Sequence, residues 1–351
     1  MSGAQFLLAS IVGFEVGPRV GRAIHGTELL SMGWHCGTVF GHPVAAAAAS
    51  KLFDAPAAQI EDALGIACTQ ACGLMSAQYE GMVKRMQHGF SARNGLFGAL
   101  LADGGYSGIK KVFETPYGGF LSMFSKGNSK EPAYLEDEVT KDLGRSWVIE
   151  EIQVKIHACV GCAFGMIDCI KGMQKSHSEG LSDLNAVKSV KIGVSTAVLG
   201  HCGWKAIRPL TSTGAQMNLS YIAAVQFLDG QVSLENFSED KLDRDDLWIL
   251  AEKIICTHDE RFDRLSHEFG AAVTIEFNDS RPALERMEDR PVGLEQPVTN
   301  DEIVEKYRRL TTGRLSTQRQ RAIEEIVLNF DKLDDIRRLT NLLAKPFVSN
   351  A

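Results

Sequence analysis

The sequence predicts a mainly α-helical protein into which an α+β domain is inserted. Residues 1–147 are rich in Ala and Gly and repeat apolar residues at helical spacing. Residues 148–294 contain segments in which apolar and polar residues alternate as they do in strands, with helical stretches between them. Helical spacing returns over residues 295–351, so we expect the two ends of the chain to form one helical domain.

Four segments of the first part predict its helices. "HPVAAAAASKLF" predicts a helix that starts near Pro43, because proline is common in the first turn of a helix. "APAAQIEDALGIACTQACGLMSA" predicts a long helix, and "HGFSARNGLFGALLADGGY" predicts another that ends at Gly104 and Gly105. The apolar start, "AQFLLASIVGFEVG", has no positively charged beginning, contains Glu15 and is too short to span a bilayer. We therefore expect it to be a buried helix and not a signal or a membrane segment.

The inserted domain is predicted from three alternating segments. "WVIEEIQVKIHACV", "AVKSVKIGVS" and "AAVTIEFND" each predict a strand, and "TGAQMNLSYIAAVQFLDG" predicts a helix. After it, "DEIVEKYRRLT", "STQRQRAIEEIVLNFDKL" and "DDIRRLTNLLAK" predict the helices that close the chain.

Charge and cysteine content narrow the function classes. The 351 residues include 37 Lys and Arg against 44 Asp and Glu, a formal charge of −7, and no run of like charges builds a basic face. Nucleic acid and membranes are therefore not expected as partners. Eight cysteines without scaffold-like spacing favour reduced thiols and a cytoplasmic location. The single C-x-x-C, "CVGC" at Cys159 and Cys162, is a weak metal signal, and buried structural thiols are the favoured interpretation.

The stretch "GWHCGTVFGHP", residues 33–43, holds the first candidate site residue, His35. It lacks the Gly-Lys-Ser/Thr ending of a phosphate-binding loop. The spacing of His35, Cys36 and His42 matches no standard zinc template. Two interpretations stay open: a core or capping histidine, or a histidine in the wall of a pocket for an organic acid.

A basic segment, "GMVKRMQHGFSARNG", follows at residues 81–95. Lys84 and His88 are four residues apart and would share one helical face, which suits a polycarboxylate ligand. A solvated helix face is the alternative. Tyr221, in an apolar helical segment, is either a proton donor in a pocket or a buried tyrosine bonded to the backbone. "GHCGW", which contains His201, is equally ambiguous.

Taken together, long stretches of the chain resemble the MmgE/PrpD family and, within it, the fungal cis-aconitate decarboxylases. These stretches are "GWHCGTVFG", "EDALGIACTQACGLMSAQYEGMVKRMQHGFSARNGL", "YGGFLSMFSKGN", "HCGW" and "GAQMNLSYIAAVQFLDG". The resemblance implies a helical domain with an inserted α+β lid, a homodimer, and a cofactor-independent, metal-free carboxy-lyase that converts cis-aconitate to itaconate. The alternatives are a hydro-lyase similar to 2-methylcitrate dehydratase and a shortened, non-catalytic paralogue.

The resemblance also implies roles for individual residues. It gives His35 and Tyr221 catalytic roles and makes Lys84, Arg93 and Lys155 ligands of the substrate carboxylates. His88 joins this substrate-binding set through its spacing from Lys84.

Two departures from the family pattern accompany the resemblance. Phe164 stands where the family often has a histidine. The family carries further residues before the position of Met1, so we expect an N-terminally shortened chain. A mitochondrial location is the alternative if the preceding residues hold a targeting segment.

Overall fold

The computed structural model describes residues 1–179, 181, 183–264 and 268–344. The chain divides into two compact units. The first, the helical unit, comprises Met1–Met75, Arg85–Ile152 and Asn300–Ala351, and the second, the mixed unit, comprises Ser76–Lys84 and Gln153–Thr299. The predicted boundaries at 147/148 and 294/295 differ from these by five residues each. The segment Ser76–Lys84, which the prediction assigned to the helical domain, belongs to the mixed unit.

The regular structure of the described residues consists of α-helices, short 3₁₀ turns and one four-stranded sheet. In chain order the helices are α1 Gly3–Ala23, α2 Gly26–Ser31, α3 Cys36–Leu52, α4 Ala57–Cys68, α5 Val83–Asp103, α6 Phe120–Phe124, α7 Phe164–Ser176, α8 Thr196–Cys202, α9 Ser212–Gln216, α10 Leu219–Asp229, α11 Asp245–Ala251, α12 Asn300–Thr311, α13 Thr317–Leu328 and α14 Arg337–Leu343. The strands are β1 Val187–Val194, β2 Ile254–His258, β3 Ala271–Phe277 and β4 Leu284–Glu288. The predicted fold class, mainly α with an α+β domain, is confirmed.

In the helical unit, α1 packs along α3. Helix α1 begins with a capping box, in which the Ser2 hydroxyl accepts from the Gln5 N–H and the Gln5 side chain accepts from the Ser2 N–H. Helix α3 begins at Cys36, so Pro43 lies inside the helix and the predicted start is wrong. A proline there removes one backbone hydrogen bond. Burial of Pro43 and packing of the helix against α1 offset this cost.

Two further predicted helices are shorter than expected. Helix α4 ends at Cys68 because the chain turns back through Gly73, whose φ of 138° is unfavourable for any residue with a side chain. The predicted helix over residues 213–230 divides into α9 and α10. Asn218 separates them, because its side chain accepts from the Tyr221 N–H and caps α10. The last residue of the predicted closing helix, Lys345, lies outside the described residues.

The sheet of the mixed unit has the strand order β2-β1-β3-β4. Strand β1 is parallel to β2 and antiparallel to β3, and β3 is antiparallel to β4. Helices α7 and α10 pack on it and complete an apolar core. The strands predicted from "AVKSVKIGVS" and "AAVTIEFND" are present as β1 and β3.

The strand predicted from "WVIEEIQVKIHACV" is wrong. Val148–Glu151 forms a 3₁₀ turn. The Ala158 N–H donates to the Val232 carbonyl and the Val160 N–H to the Gln216 carbonyl, so this segment bonds to loops and helix ends and not to a neighbouring strand. Among the residues that the structure describes, none of the helices combines the length and apolarity needed to cross a bilayer.

Candidate functional site

His35 lies in the helical unit, immediately before α3, and is 7% exposed. Its backbone N–H donates to the Gly73 carbonyl at 3.0 Å. The Thr38 hydroxyl lies 2.7 Å from the His35 carbonyl and 2.9 Å from the Cys72 carbonyl, which ties the start of α3 to the turn after α4. A Cβ at Gly73 would lie 1.8 Å from the Thr38 hydroxyl oxygen, so only glycine fits this contact.

The imidazole of His35 is held in one tautomer. Its Nδ1 lies 2.6 Å from Oε1 of Gln87, and Nε2 of Gln87 donates to the Leu74 carbonyl at 3.0 Å. Because that second bond fixes the amide with its oxygen towards His35, Nδ1 must be the donor. Nε2 is the other ring nitrogen, and the bond at Nδ1 sets its direction, so a proton exchanged with a ligand would pass through Nε2.

The ring of His88 packs edge-on against that of His35, with the centroids 4.7 Å apart. Glycine at position 37 makes room for His88, because a Cβ there would lie 2.8 Å from Cε1 of the ring. Arg93, also on α5, is exposed; its guanidinium donates to Oδ1 of Asn94 and lies over the Phe90 ring. The structure thus places His35 and His88 together, whereas the contacts of Arg93 are to its own helix.

His42 lies in the same stretch as His35 but is fully buried. Its Nδ1 lies 2.7 Å from the Thr38 carbonyl and must donate to it, which leaves Nε2 to accept from Nδ2 of Asn94 at 3.3 Å. Burial lowers the pKa of His42, and bonds to backbone carbonyls oppose that effect only in part. His42 is therefore a neutral core histidine that joins α3 to α5.

In the mixed unit, two predicted substrate-binding residues, Lys84 and Lys155, act electrostatically on a third residue, His201, which sequence reasoning left without a role. Burial, followed by the positive charges of Lys84 and Lys155, lowers the pKa of His201 to about 4. Lys84 is buried and Lys155 is exposed. His201 lies in the last turn of α8, and its carbonyl accepts from Nε2 of Gln78 at 3.1 Å. The mixed unit thus brings two cations to one neutral imidazole.

Two thiols accompany this imidazole. The ligand atoms of Cys162, His201 and Cys202 all lie within 4.8 Å of one another. A hydrogen bond from Cys202 and the charge of Lys155 lower the pKa of Cys162 despite its burial, and burial raises the pKa of Cys202. Both cysteines of the C-x-x-C pair, Cys159 and Cys162, are buried.

Tyr221 lies in the apolar core of the mixed unit and has no exposed surface. Its hydroxyl donates to the Leu242 carbonyl at 3.2 Å, and its ring packs edge-on against Trp248. Burial raises the pKa of Tyr221 to about 12. Of the two interpretations of this residue, the geometry favours the buried tyrosine bonded to the backbone over the proton donor.

The imidazole of His35 in the helical unit and the cluster around His201 in the mixed unit are each suited to acid–base work on an anion. An imidazole oriented through one nitrogen can transfer a proton through the other. Two ammonium groups beside a neutral imidazole offer charge-assisted hydrogen bonds to carboxylates. A cluster of this kind could have been suspected from "GHCGW", but the approach of Lys84 and Lys155 to His201 is a property of the folded chain alone.

Comparison with known proteins identifies relatives over almost the whole chain. The cis-aconitate decarboxylase-like protein oryM of Aspergillus oryzae is 48% identical over 347 residues, which are 98% of this chain and 72% of that protein. Cis-aconitate decarboxylase of Aspergillus terreus is 48% identical over 355 residues, 99% of this chain and 72% of that protein. Human cis-aconitate decarboxylase is 23% identical over 351 residues, 98% of this chain and 70% of that protein.

Two family domains account for most of the sequence. The MmgE/PrpD N-terminal domain matches residues 1–133, and the MmgE/PrpD C-terminal domain matches residues 157–332. The first match falls largely on the helical unit and includes Ser76–Lys84 of the mixed unit. The second falls largely on the mixed unit and continues into α12 and α13. With both domains present in order and 48% identity to two fungal relatives, the chain belongs to the MmgE/PrpD family.

Proposed function

We propose that the protein is a carboxy-lyase that decarboxylates cis-aconitate to itaconate. The observation that carries this proposal is the 48% identity, over 99% of the chain, to a protein named cis-aconitate decarboxylase. The oriented imidazole of His35 and the two lysines around His201 support it, because they are groups that the reaction requires.

The reaction needs little from the protein beyond charge and one proton. The carboxymethyl group of cis-aconitate is attached to an alkene carbon. When its C–C bond to the carboxylate breaks, CO₂ leaves and the electron pair moves through the alkene to form a dienolate. Protonation at the former vinylic carbon then gives itaconate. Because the substrate supplies its own electron sink, we expect turnover without an organic cofactor or a metal.

Three carboxylates must be bound, and one of them must lose its hydration before it leaves as CO₂. Lys84 is the strongest candidate ligand, because it is 5% exposed and a buried ammonium makes a stronger bond to a carboxylate than an exposed one. Lys155 is the second, since its charge acts on the same imidazole as that of Lys84. His88 and Arg93 complete the proposed set.

His35 is the proposed proton donor. Gln87 fixes its Nδ1–H, so a protonated Nε2 can deliver its proton in a constant direction. General-acid catalysis of this kind contributes about 10²–10⁴-fold to a rate. Tyr221, the other candidate from the sequence, would have to give up its bond to the Leu242 carbonyl in order to act.

We also propose that the protein is a homodimer. The helical unit exposes large apolar side chains on α1: Phe6, Leu8, Ile11 and Phe14. A monomer would leave these side chains in water, and large exposed apolar side chains of this kind favour an interface. Light scattering should give the mass of two chains, and a stable monomer at micromolar concentration would contradict the proposal.

The activity is tested by incubating the purified protein with cis-aconitate and measuring itaconate and CO₂ in equal amounts. 2-Methylcitrate is the comparison substrate. Turnover should persist after treatment with a chelator. Dehydration of 2-methylcitrate without release of CO₂ from cis-aconitate would replace the proposal with a hydro-lyase, and no turnover of either substrate by a folded protein would favour a non-catalytic paralogue.

A further inference from the structure

The proposed decarboxylation gives no role to two buried thiols of the mixed unit, Cys162 and Cys202. They lie beside the imidazole of His201, and the three ligand atoms are within 4.8 Å of one another. Both cysteines are free and buried, and His201 is partly exposed, which leaves a route for a small ion. We propose that Cys162, His201 and Cys202 bind one thiophilic metal ion of the Zn²⁺ class.

The distances suit this ion. With Zn–S bonds of about 2.3 Å and a Zn–N bond of about 2.0 Å, the ligand atoms of a tetrahedral site lie about 3.5–3.8 Å apart. The three atoms here are at most 4.8 Å apart, so side-chain movements of about 1 Å or less would close the site. Three protein ligands leave the fourth position to water or an anion.

The ligand types define the class of ion. Two sulfurs and one imidazole nitrogen favour Zn²⁺, Cd²⁺ or Cu⁺, whereas Mg²⁺ and Ca²⁺ require oxygen ligands. The local charges act in both directions. Two thiolates balance a divalent ion, and Glu268 adds a negative charge near Cys162, whereas the positive charges of Lys84 and Lys155 act on His201 and disfavour a cation.

Regular structure holds the ligands in place. His201 and Cys202 are the last two residues of α8, whose first turn is capped by the Ser195 hydroxyl. Cys162 is in the 3₁₀ turn Gly161–Ala163, and the Val160 N–H before that turn donates to the Gln216 carbonyl at 2.9 Å. Ligands on such elements need little reorganisation to bind.

The test is an anaerobic titration of the reduced, metal-free protein with Co²⁺, which takes tetrahedral zinc sites and reports on its ligands. We expect one equivalent to bind, with a sulfur-to-cobalt charge-transfer band and the strong visible bands of four-coordinate cobalt. No cobalt binding, or the weak spectrum of six-coordinate cobalt with oxygen ligands, would overturn the proposal. This readout does not involve turnover, so it succeeds or fails separately from the decarboxylase assay.

Three variants locate the site. Cys202→Ser and His201→Gln should each weaken binding about tenfold or more. Cys169→Ser is the matched control, because Cys169 is a buried thiol of the same unit whose sulfur donates to the Ala271 carbonyl, and its titration should be unchanged. Unchanged binding in both ligand variants would refute the assignment.

X-ray absorption on the zinc-loaded wild-type protein needs no variant that might fail to fold. It should show two sulfur atoms and at least one nitrogen around the metal. A shell without sulfur would exclude the site.

Discussion

His35 and Tyr221 each place a polar ring among apolar residues, but the two rings are held in different ways. His35 is bonded to Gln87 through one ring nitrogen, and this bond sets the direction of the other. Tyr221 has one polar atom, and that atom is already bonded to the Leu242 carbonyl inside an apolar core. The first arrangement orients a group for chemistry, while the second satisfies a buried hydroxyl.

Other polar and charged groups also divide into those that stabilise the fold and those that are oriented for chemistry. Glu15 and Arg19 form a buried ion pair in the helical unit. The Glu15 carboxylate also accepts hydrogen bonds from the backbone N–H groups of Val148 and Ile149. Glu15 thus joins α1 to a segment of the same unit that is more than 130 residues away in sequence. Lys84 and Lys155, by contrast, direct two charges at one imidazole. Substitutions should therefore divide into those that cost stability and those that cost turnover.

Glu15→Ala should have the largest effect, and that effect should be on stability. It leaves the Arg19 guanidinium and two backbone N–H groups without their carboxylate, a loss of about 3–5 kcal/mol for a buried pair. Thermal and urea unfolding measure this loss. Glu61→Ala, at an exposed pair with Lys110, is the control and should cost less than about 1 kcal/mol. A near-native melting temperature for Glu15→Ala would show that the bonds of this carboxylate to Arg19, Val148 and Ile149 contribute little to stability.

The bonds of the Glu15 carboxylate also predict how the stability of the protein changes with pH. Burial alone would raise the pKa of Glu15, but the backbone donors and Arg19 outweigh it and lower the pKa. This contribution to stability is complete above the unfolded pKa of a glutamate, about 4.3, and is lost as pH falls through the lower folded pKa. Acid unfolding of wild type should therefore include a contribution that is missing in Glu15→Gln.

His35→Ala should lower kcat by about 10²-fold or more, as expected for removal of a general acid. Its melting temperature should fall less than its turnover, because the stability loss is limited to the bond to Gln87 and the ring contact with His88. Itaconate formation and thermal unfolding are measured together. His42→Ala, in the helix that follows His35, is the matched control, and it should unfold at lower temperature, since His42 is fully buried. An unstable His35→Ala with normal kcat would make His35 a core histidine.

Lys84→Ala and Lys155→Ala should each lower kcat/KM about 10–100-fold, because each removes a charge-assisted hydrogen bond worth roughly 1.5–3 kcal/mol. The effect should be larger for Lys84, which is buried. Lys191→Ala, an exposed lysine of β1 in the same unit, is the control and should behave as wild type. If kcat/KM is the same for Lys84→Ala, Lys155→Ala and Lys191→Ala, then neither Lys84 nor Lys155 binds the substrate.

The sequence predicts those features of the fold that depend on neighbouring residues and fails for those that depend on contacts between residues distant in sequence. The inserted α+β domain and strands β1 and β3 follow from local periodicity. The segment of residues 147–160 has the same periodicity and forms no strand, because its N–H groups bond to Val232 and Gln216, which are remote in sequence.

The site shows the same limit. The resemblance proposes His35 and the lysines as site residues, whereas it does not predict the residues that they contact. The tautomer of His35 depends on the orientation of the Gln87 amide, and the importance of His201 depends on charges from two distant segments. Nothing in the local sequence distinguishes His201 from His42, although His201 lies in the field of two lysines and His42 lies in the core.

Tyr221→Phe should have the smallest effect of all. It removes one buried hydrogen bond, which contributes about 0.5–1.5 kcal/mol, and leaves the ring packed against Trp248. The Leu242 carbonyl also accepts from Nε1 of Trp248 at 2.9 Å, so it keeps a donor and the cost should lie at the lower end. Turnover of cis-aconitate should stay within about twofold of wild type, measured beside the melting temperature. A loss of kcat comparable to that of His35→Ala, without a loss of stability, would mean that the hydroxyl leaves the Leu242 carbonyl during the reaction and that Tyr221 delivers the proton.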